Sequence, residues 1–152
     1  MKFSAVVKPF EQLTPDELYR ILRLRIDIFI VEQQCIFQDA DNKDQDCHHL
    51  MLFSGNELAA YARLVPAGIT YEEMSIGRVV TARGFRRTGA GRELMNVAIE
   101  ECRRLFGGGP IRIGAQLYIK SFYASLGFKE SGDIYDEDGI DHIEMIKEAS
   151  YV

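Results

Sequence analysis

Apolar positions along the chain follow two rhythms, and the longest helical one runs from Arg92 to Phe106. Leu94, Ala98, Cys102 and Leu105 recur three or four residues apart, with Met95, Ile99 and Phe106 beside them. That spacing predicts a helix with a wide buried stripe, stopped by Gly107-Gly108-Gly109-Pro110. Just upstream, Ile76 to Thr81 carries β-branched Val79 and Val80 and predicts a buried strand. Phe3 to Val7 reads as a first strand. Thr14-Pro15-Asp16-Glu17 then opens a helix with a capping box, and Leu18, Ile21, Leu22 and Ile28 suit its buried face. The apolar run from Ile28 to Val31 blurs where that helix ends. His49 to Phe53 and Glu57 to Val65 flank Ser54-Gly55-Asn56 as a hairpin. Downstream, Ile111 to Gln116 predicts a short strand, and Ile119 to Leu126 a helix closed by Gly127. Glu130 to Asp141 holds a further strand and an acidic turn over Asp136–Gly139, and His142 to Lys147 makes a last strand. The order β-α-β-β-β-α-β-α-β-β predicts an α/β fold with a mixed sheet.

Length and charge narrow the function. A chain of 152 residues, 47% hydrophobic and 27% charged, fits a single domain over residues 1–152. Its apolar runs fall far short of membrane-spanning length and no signal-peptide pattern opens it, so the expectation is a cytoplasmic protein with no membrane partner. A net charge of −5 argues against a nucleic-acid surface. Three cysteines cannot form a closed set of pairs, and Cys102 falls on the apolar stripe. Asp39, Asp41, Asp44 and Asp46 faintly resemble a calcium loop. However, Asp44 stands where such a loop has Gly, and Leu50 where it has Glu. Cys35 with Cys47-His48-His49 matches no common zinc spacing. No metal is expected, and 34–46 reads as a mobile loop at the mouth of a site, selecting a cationic substrate.

The chemistry concentrates between the buried strand and the long helix. Arg83, Arg86, Arg87 and Arg92 surround Gly89 and Gly91 where the helix begins. The first helical amides have no intrahelical partner and sit at the positive end of the dipole, so a strand–glycine turn–helix suits a small phosphate-bearing ligand. The turn lacks the Gly-Lys-Ser/Thr ending of a P-loop and the G-x-G-x-x-G order of a dinucleotide fold.

Arg86-Arg87-Thr88-Gly89-Ala90-Gly91 resembles the Gln/Arg-x-x-Gly-x-Gly/Ala acetyl-CoA motif of the GNAT N-acetyltransferase superfamily. Ser121 to Phe128 resembles that superfamily's Phe-Tyr-x-x-x-Gly-Phe segment. Phe29-Ile30-Val31-Glu32-Gln33 and Glu137-Asp138-Gly139-Ile140-Asp141-His142 resemble its ElaA-like branch. The resemblance implies a single-domain GNAT-like fold whose mixed central sheet splays at the cofactor site and is flanked by helices. It implies acetyl-CoA as co-substrate, with its pantetheine arm along Val79, Val80 and Thr81 and its pyrophosphate on Arg86, Arg87, Thr88, Gly89, Ala90 and Gly91.

The implied reaction is direct acetyl transfer to a primary amine on a small molecule or peptide. Such an amine, with a pKa of about 10.4 when lysine-like, must lose a proton before it attacks. Glu32, His49 and His142 are the base candidates. Val80's amide is a candidate oxyanion donor, and Tyr123 aligns with the tyrosine that protonates the leaving thiolate. Gln33, Arg78, Gln116, Glu137 and Asp138 would contact the acceptor. The rival is a catalytically inactive acyl-CoA-binding module, for which the glycine turn would look the same. An exposed final strand could also pair in a homodimer.

Overall fold

The computed structural model describes residues 2–150. After β1 (Ser4–Pro9), helix α1 (Pro15–Arg25) starts on the expected capping box. The Thr14 hydroxyl accepts from the Glu17 amide, while the Glu17 carboxylate accepts from the Thr14 amide. Its buried face is Ile21, Leu24, Arg25 and Ile28, whereas Leu18 and Leu22 are only half-buried. The blurred end has a physical form. Ile26–Glu32 continues as π-helix, with the Gln33 amide donating to the Ile28 carbonyl five residues back at 3.1 Å.

Strands β2 (His48–Ser54) and β3 (Glu57–Val65) form the hairpin, and β4 (Ser75–Thr81) completes an antiparallel sheet of order β1-β2-β3-β4. Alternation along β3 sends Ala60, Ala62 and Leu64 to one face and Tyr61 to the other. Helix α2 (Ala90–Phe106) buries Leu94, Met95, Ala98 and Cys102 against the first face. On the second face, Ile21, Leu24 and Ile28 of α1 and its extension meet Met51, Tyr61 and Val80. Each fully buried Leu or Ile contributes about 1.5–3 kcal/mol, so the two helices clamp this sheet from both sides.

The rest of the chain builds a second antiparallel sheet. It contains β5 (Ile111–Gln116), β6 (Lys129–Glu130), β7 (Tyr135–Glu137) and β8 (Ile140–Lys147), with α3 (Lys120–Ser125) following β5. The expected mixed sheet is therefore two antiparallel sheets joined by a single parallel bridge, Met74 to Ile111, where the Arg112 amide donates to the Met74 carbonyl at 3.0 Å. Beyond that bridge β4 and β5 part. The last strand is not an exposed edge: β8 pairs β5 on one side and β6 and β7 on the other. The homodimer expectation thus loses the free edge it rested on. No helix among the described residues is long and apolar enough to cross a membrane.

Candidate active site

A cleft of about 580 Å³ opens where β4 and β5 part. Its β4 wall is shaped by a bulge. Between the Tyr61–Val80 and Arg63–Gly77 pairs, β4 spends one more residue than β3, and Arg78 takes a left-handed φ of +49°. Past the bulge, Val79, Val80 and Thr81 line the cleft along the edge of β4 that faces away from β3. No strand pairs with that edge among the described residues, so its main-chain groups are available to a ligand. At the same end, α2 begins on Gly89, whose φ is +88° and which offers no side chain to cap the first amides.

Of the six glycine-turn residues expected at the pyrophosphate, Arg86 and Gly91 line the cleft; Arg87, Thr88, Gly89 and Ala90 do not. Ala90 is buried in the core. The site's fit to a phosphate-bearing acyl carrier thus rests on the uncapped helix start, Arg86 and the open β4 edge.

The floor and far end gather most of the other candidates. Tyr123 is 6% exposed, packs edge-on against Phe122 and Phe128, and lines the cleft. Burial pushes its phenol well above the ordinary tyrosine range, so it keeps its proton at neutral pH. Gln33, Gln116, Glu137, Asp138 and His142 line the same cleft. His142 is opposite Gln116 across β5 and β8 and opposite Tyr135 across β7 and β8. Its Nδ1 lies 2.7 Å from the Ile140 carbonyl, which can only accept, so Nδ1 carries the proton. The other ring nitrogen, Nε2, is then the basic one, 3.3 Å from the Glu137 carboxylate.

Three candidates stand elsewhere than expected. His49 is buried outside the cleft, with Nε2 2.9 Å from the Asp44 carbonyl and Nδ1 2.6 Å from the Tyr61 hydroxyl. Both nitrogens are occupied and burial pushes its pKa down, so it is a structural imidazole rather than a base for an acceptor. Glu32 lies on the rim. It makes two bonds to the Arg86 guanidinium and approaches Arg83 Nε at 3.5 Å, and the Arg86 bonds hold its carboxyl below the usual range. Arg78 lines the cleft, but its guanidinium is engaged internally. Nε is 2.9 Å from Asp39 Oδ1, Nη2 is 3.2 Å from Asp41 Oδ2, and the group covers the Phe37 ring at 5.6 Å.

The acidic loop lines the cleft through Phe37, Gln38, Asp41 and Lys43, as expected of a loop at the mouth, but arginines hold its carboxylates and it is not a free segment. Arg25, wholly buried, donates to Asp39 and Asp44 at 2.8 Å each; Arg63 donates to Asp41 at 2.8 Å and Asp44 at 2.9 Å. Three arginines neutralise three aspartates and fix the loop against α1 and the first sheet. One sequence signal pointed to this: Arg25 occupies the i+4 position of the stripe Ile21, Leu24, Ile28. Tyr71 and Tyr135, whose hydroxyls both lie over Gly114, carried no such signal.

Two sheets that share one bridge and then part around a helix start define the GNAT class of α/β proteins. Relatives agree at the level of sequence and of structure. The Acetyltransferase (GNAT) domain model matches residues 26–149, and the chain belongs to that family. Protein ElaA of Escherichia coli is 37% identical over 139 residues, covering 90% of this chain and 91% of its own. A UPF0039 protein of Schizosaccharomyces pombe is 42% identical over 142 residues, covering 92% and 93%. The ElaA crystal structure superposes with a TM-score of 0.90 over 97% of this chain and all of that one, at 34% identity. A Pseudomonas aeruginosa acyl-CoA N-acyltransferase gives 0.90 over 96% and 99%, at 36% identity.

Proposed function

We propose that the protein is an acetyl-CoA-dependent N-acetyltransferase of the cytoplasm, moving an acetyl group directly onto a primary amine of a small molecule or peptide. The observation that carries this reading is the unpaired β4 edge at Val79–Thr81, lining one cleft with Gly91 and the buried Tyr123. The acyl-CoA N-acyltransferase described from P. aeruginosa supports the same class. Bound acetyl-CoA supplies an activated acetyl thioester. Arg86 and the first amides of α2 hold its pyrophosphate, and the β4 edge holds its amide-bearing arm. The Val80 amide, expected as the oxyanion donor, faces Tyr61 of β3, in phase with the Ala82 amide that donates to the Ala59 carbonyl at 2.8 Å. The open edge instead offers the amides of Val79 and Thr81 to the developing oxyanion. Tyr123, kept protonated by burial, donates to the departing sulfur. His142 takes the amine's proton at Nε2, and the imidazolium so formed ion-pairs with Glu137. Gln33 and Gln116 position the acceptor, with Asp138 at the mouth.

The test is calorimetric titration of CoA into the wild type and Gly91→Glu. A Cβ at Gly91 meets Thr81 Oγ1 at 3.5 Å and Phe122 Cζ at 4.0 Å, ordinary contacts, so the new carboxylate enters the cleft without straining the fold. Gly89, at φ +88°, would add backbone strain of its own. Binding weakened about tenfold or more in the variant, with circular dichroism unchanged, supports the cofactor site. A folded wild type that binds no CoA, or a variant that binds it equally well, sinks the reading.

A further inference from the structure

Three side chains within residues 32–35 reach three different elements around the cleft. Glu32 bonds twice to Arg86 at the glycine turn, one contact being 2.9 Å. Gln33 exchanges amides with Gln116 at the end of β5, its Nε2 donating at 3.1 Å and its Oε1 accepting at 3.3 Å. The Cys35 thiol donates to the Asp138 carbonyl in the β7–β8 turn at 2.9 Å. Arg86, Gln33, Gln116, Cys35 and Asp138 all line the cleft, so the contacts run across it from the cofactor end to the acceptor end. Gln34, between them, has a left-handed φ of +52°.

We infer that residues 32–35 form a strap, and that Glu32 is its releasable end, occupying Arg86 in place of a cofactor phosphate. The inference rests on the cofactor reading above and adds to it what happens when the site fills.

The strengths of the links decide which of them can open. Arg86 and Glu32 side chains are 45% and 30% exposed, so solvent screens the pair. By contrast Arg25 and Asp39, at 1% and 4%, form a pair that stays closed. The other strap links are a neutral amide pair and a thiol donor, a weak one. A pyrophosphate brings more charge than one carboxylate and also takes up the amides at the start of α2, so it wins Arg86 from Glu32. Once Glu32 leaves Arg86, the strap retains a 3.5 Å approach to the exposed Arg83 and two weak neutral links, and the acceptor end can open. The strap continues directly from a π-helical turn, a winding frequently found at functional sites.

The assignment reverses what Glu32 would do as a general base. Its test is CoA calorimetry on the wild type and Glu32→Gln, with hydrogen exchange of amides 30–36 in the free and CoA-saturated wild type. The strap requires both tighter CoA binding by the variant, about threefold to tenfold, and faster exchange of amides 30–36 on saturation. Unchanged or weaker binding by Glu32→Gln overturns it, as does unchanged or slower exchange in that segment, while CoA binding by the wild type leaves the cofactor reading standing. No CoA binding by either protein overturns the cofactor reading and the strap together. Glu32 is exposed and its amide isosteric, so a folding failure does not confuse the outcome.

Discussion

Tyr123 is buried to 6% exposure on the cleft floor, against Phe122 and Phe128, and replacing it by Phe leaves that packing in place while removing one hydroxyl. If the hydroxyl protonates the leaving sulfur, Tyr123→Phe lowers kcat by about 10²–10⁴ while CoA affinity stays within about twofold. Steady-state kinetics on an amine found by screening, with calorimetry beside it, checks this. Equal kcat in the two proteins removes the acid role; absence of turnover in a CoA-binding wild type across the screen favours the inactive binding module. Tyr123 was legible because a local pattern, Phe-Tyr-x-x-x-Gly-Phe, carries it. The two histidines were not separable in that way, since each simply precedes an apolar strand residue. What distinguishes them is remote in sequence: Tyr61 and Asp44 occupy both nitrogens of His49, whereas His142 keeps Nε2 toward Glu137 and the cleft.

Elements with a strong internal period were readable, and those whose form depends on a distant partner were not. The stripe of α2, the capping box of α1 and the strand at Ile111–Gln116 appear where their patterns placed them. The β4 bulge has no sequence mark, because it arises from mismatched counts on two strands. The same holds for Gly114, which reads as an ordinary residue of β5. A Cβ there would lie 2.7 Å from the Tyr135 hydroxyl and 2.9 Å from that of Tyr71. Its φ is not left-handed, so Gly114→Ala would normally stabilise by about 0.4–1 kcal/mol through the unfolded chain. Overpacking here costs about 1–3 kcal/mol and outweighs that gain. The variant should therefore unfold at lower urea than the wild type. It should also lose turnover, because Tyr135, whose ring sits 5.7 Å from that of His142, has to move. A urea midpoint equal to or above the wild type's would show that the tyrosine pair yields freely.

The molecule as a whole depends on an electrostatic joint that composition concealed. The run of aspartates suggested a mobile acidic loop, yet Asp39, Asp41 and Asp44 face Arg25, Arg63 and Arg78 and lock residues 39–46 to α1, β3 and β4. Removing one partner of such a buried set leaves charge without compensation, so Arg25→Met should cost about 3–5 kcal/mol despite its similar length. The joint also sets the acid limit. Burial pushes the Asp41 and Asp44 carboxyls up, but the arginine contacts outweigh it and hold both below the usual range. Groups with depressed folded pKa values stabilise fully above their unfolded pKa of about 3.9, and that contribution disappears as pH falls through the folded values. Wild-type stability in urea should therefore fall in two stages: modestly below about pH 6.5, where the unfolded chain protonates His49 while the fold keeps its buried imidazole neutral, and steeply below about pH 4 as the two carboxylates protonate. Because Arg25 makes the largest of the lowering contacts on Asp44, Arg25→Met should be less stable at pH 7 and lose less on acidification, so the two curves converge at low pH. Parallel curves would mean that the carboxylates titrate independently of Arg25, and that the loop is fixed by packing rather than by charge.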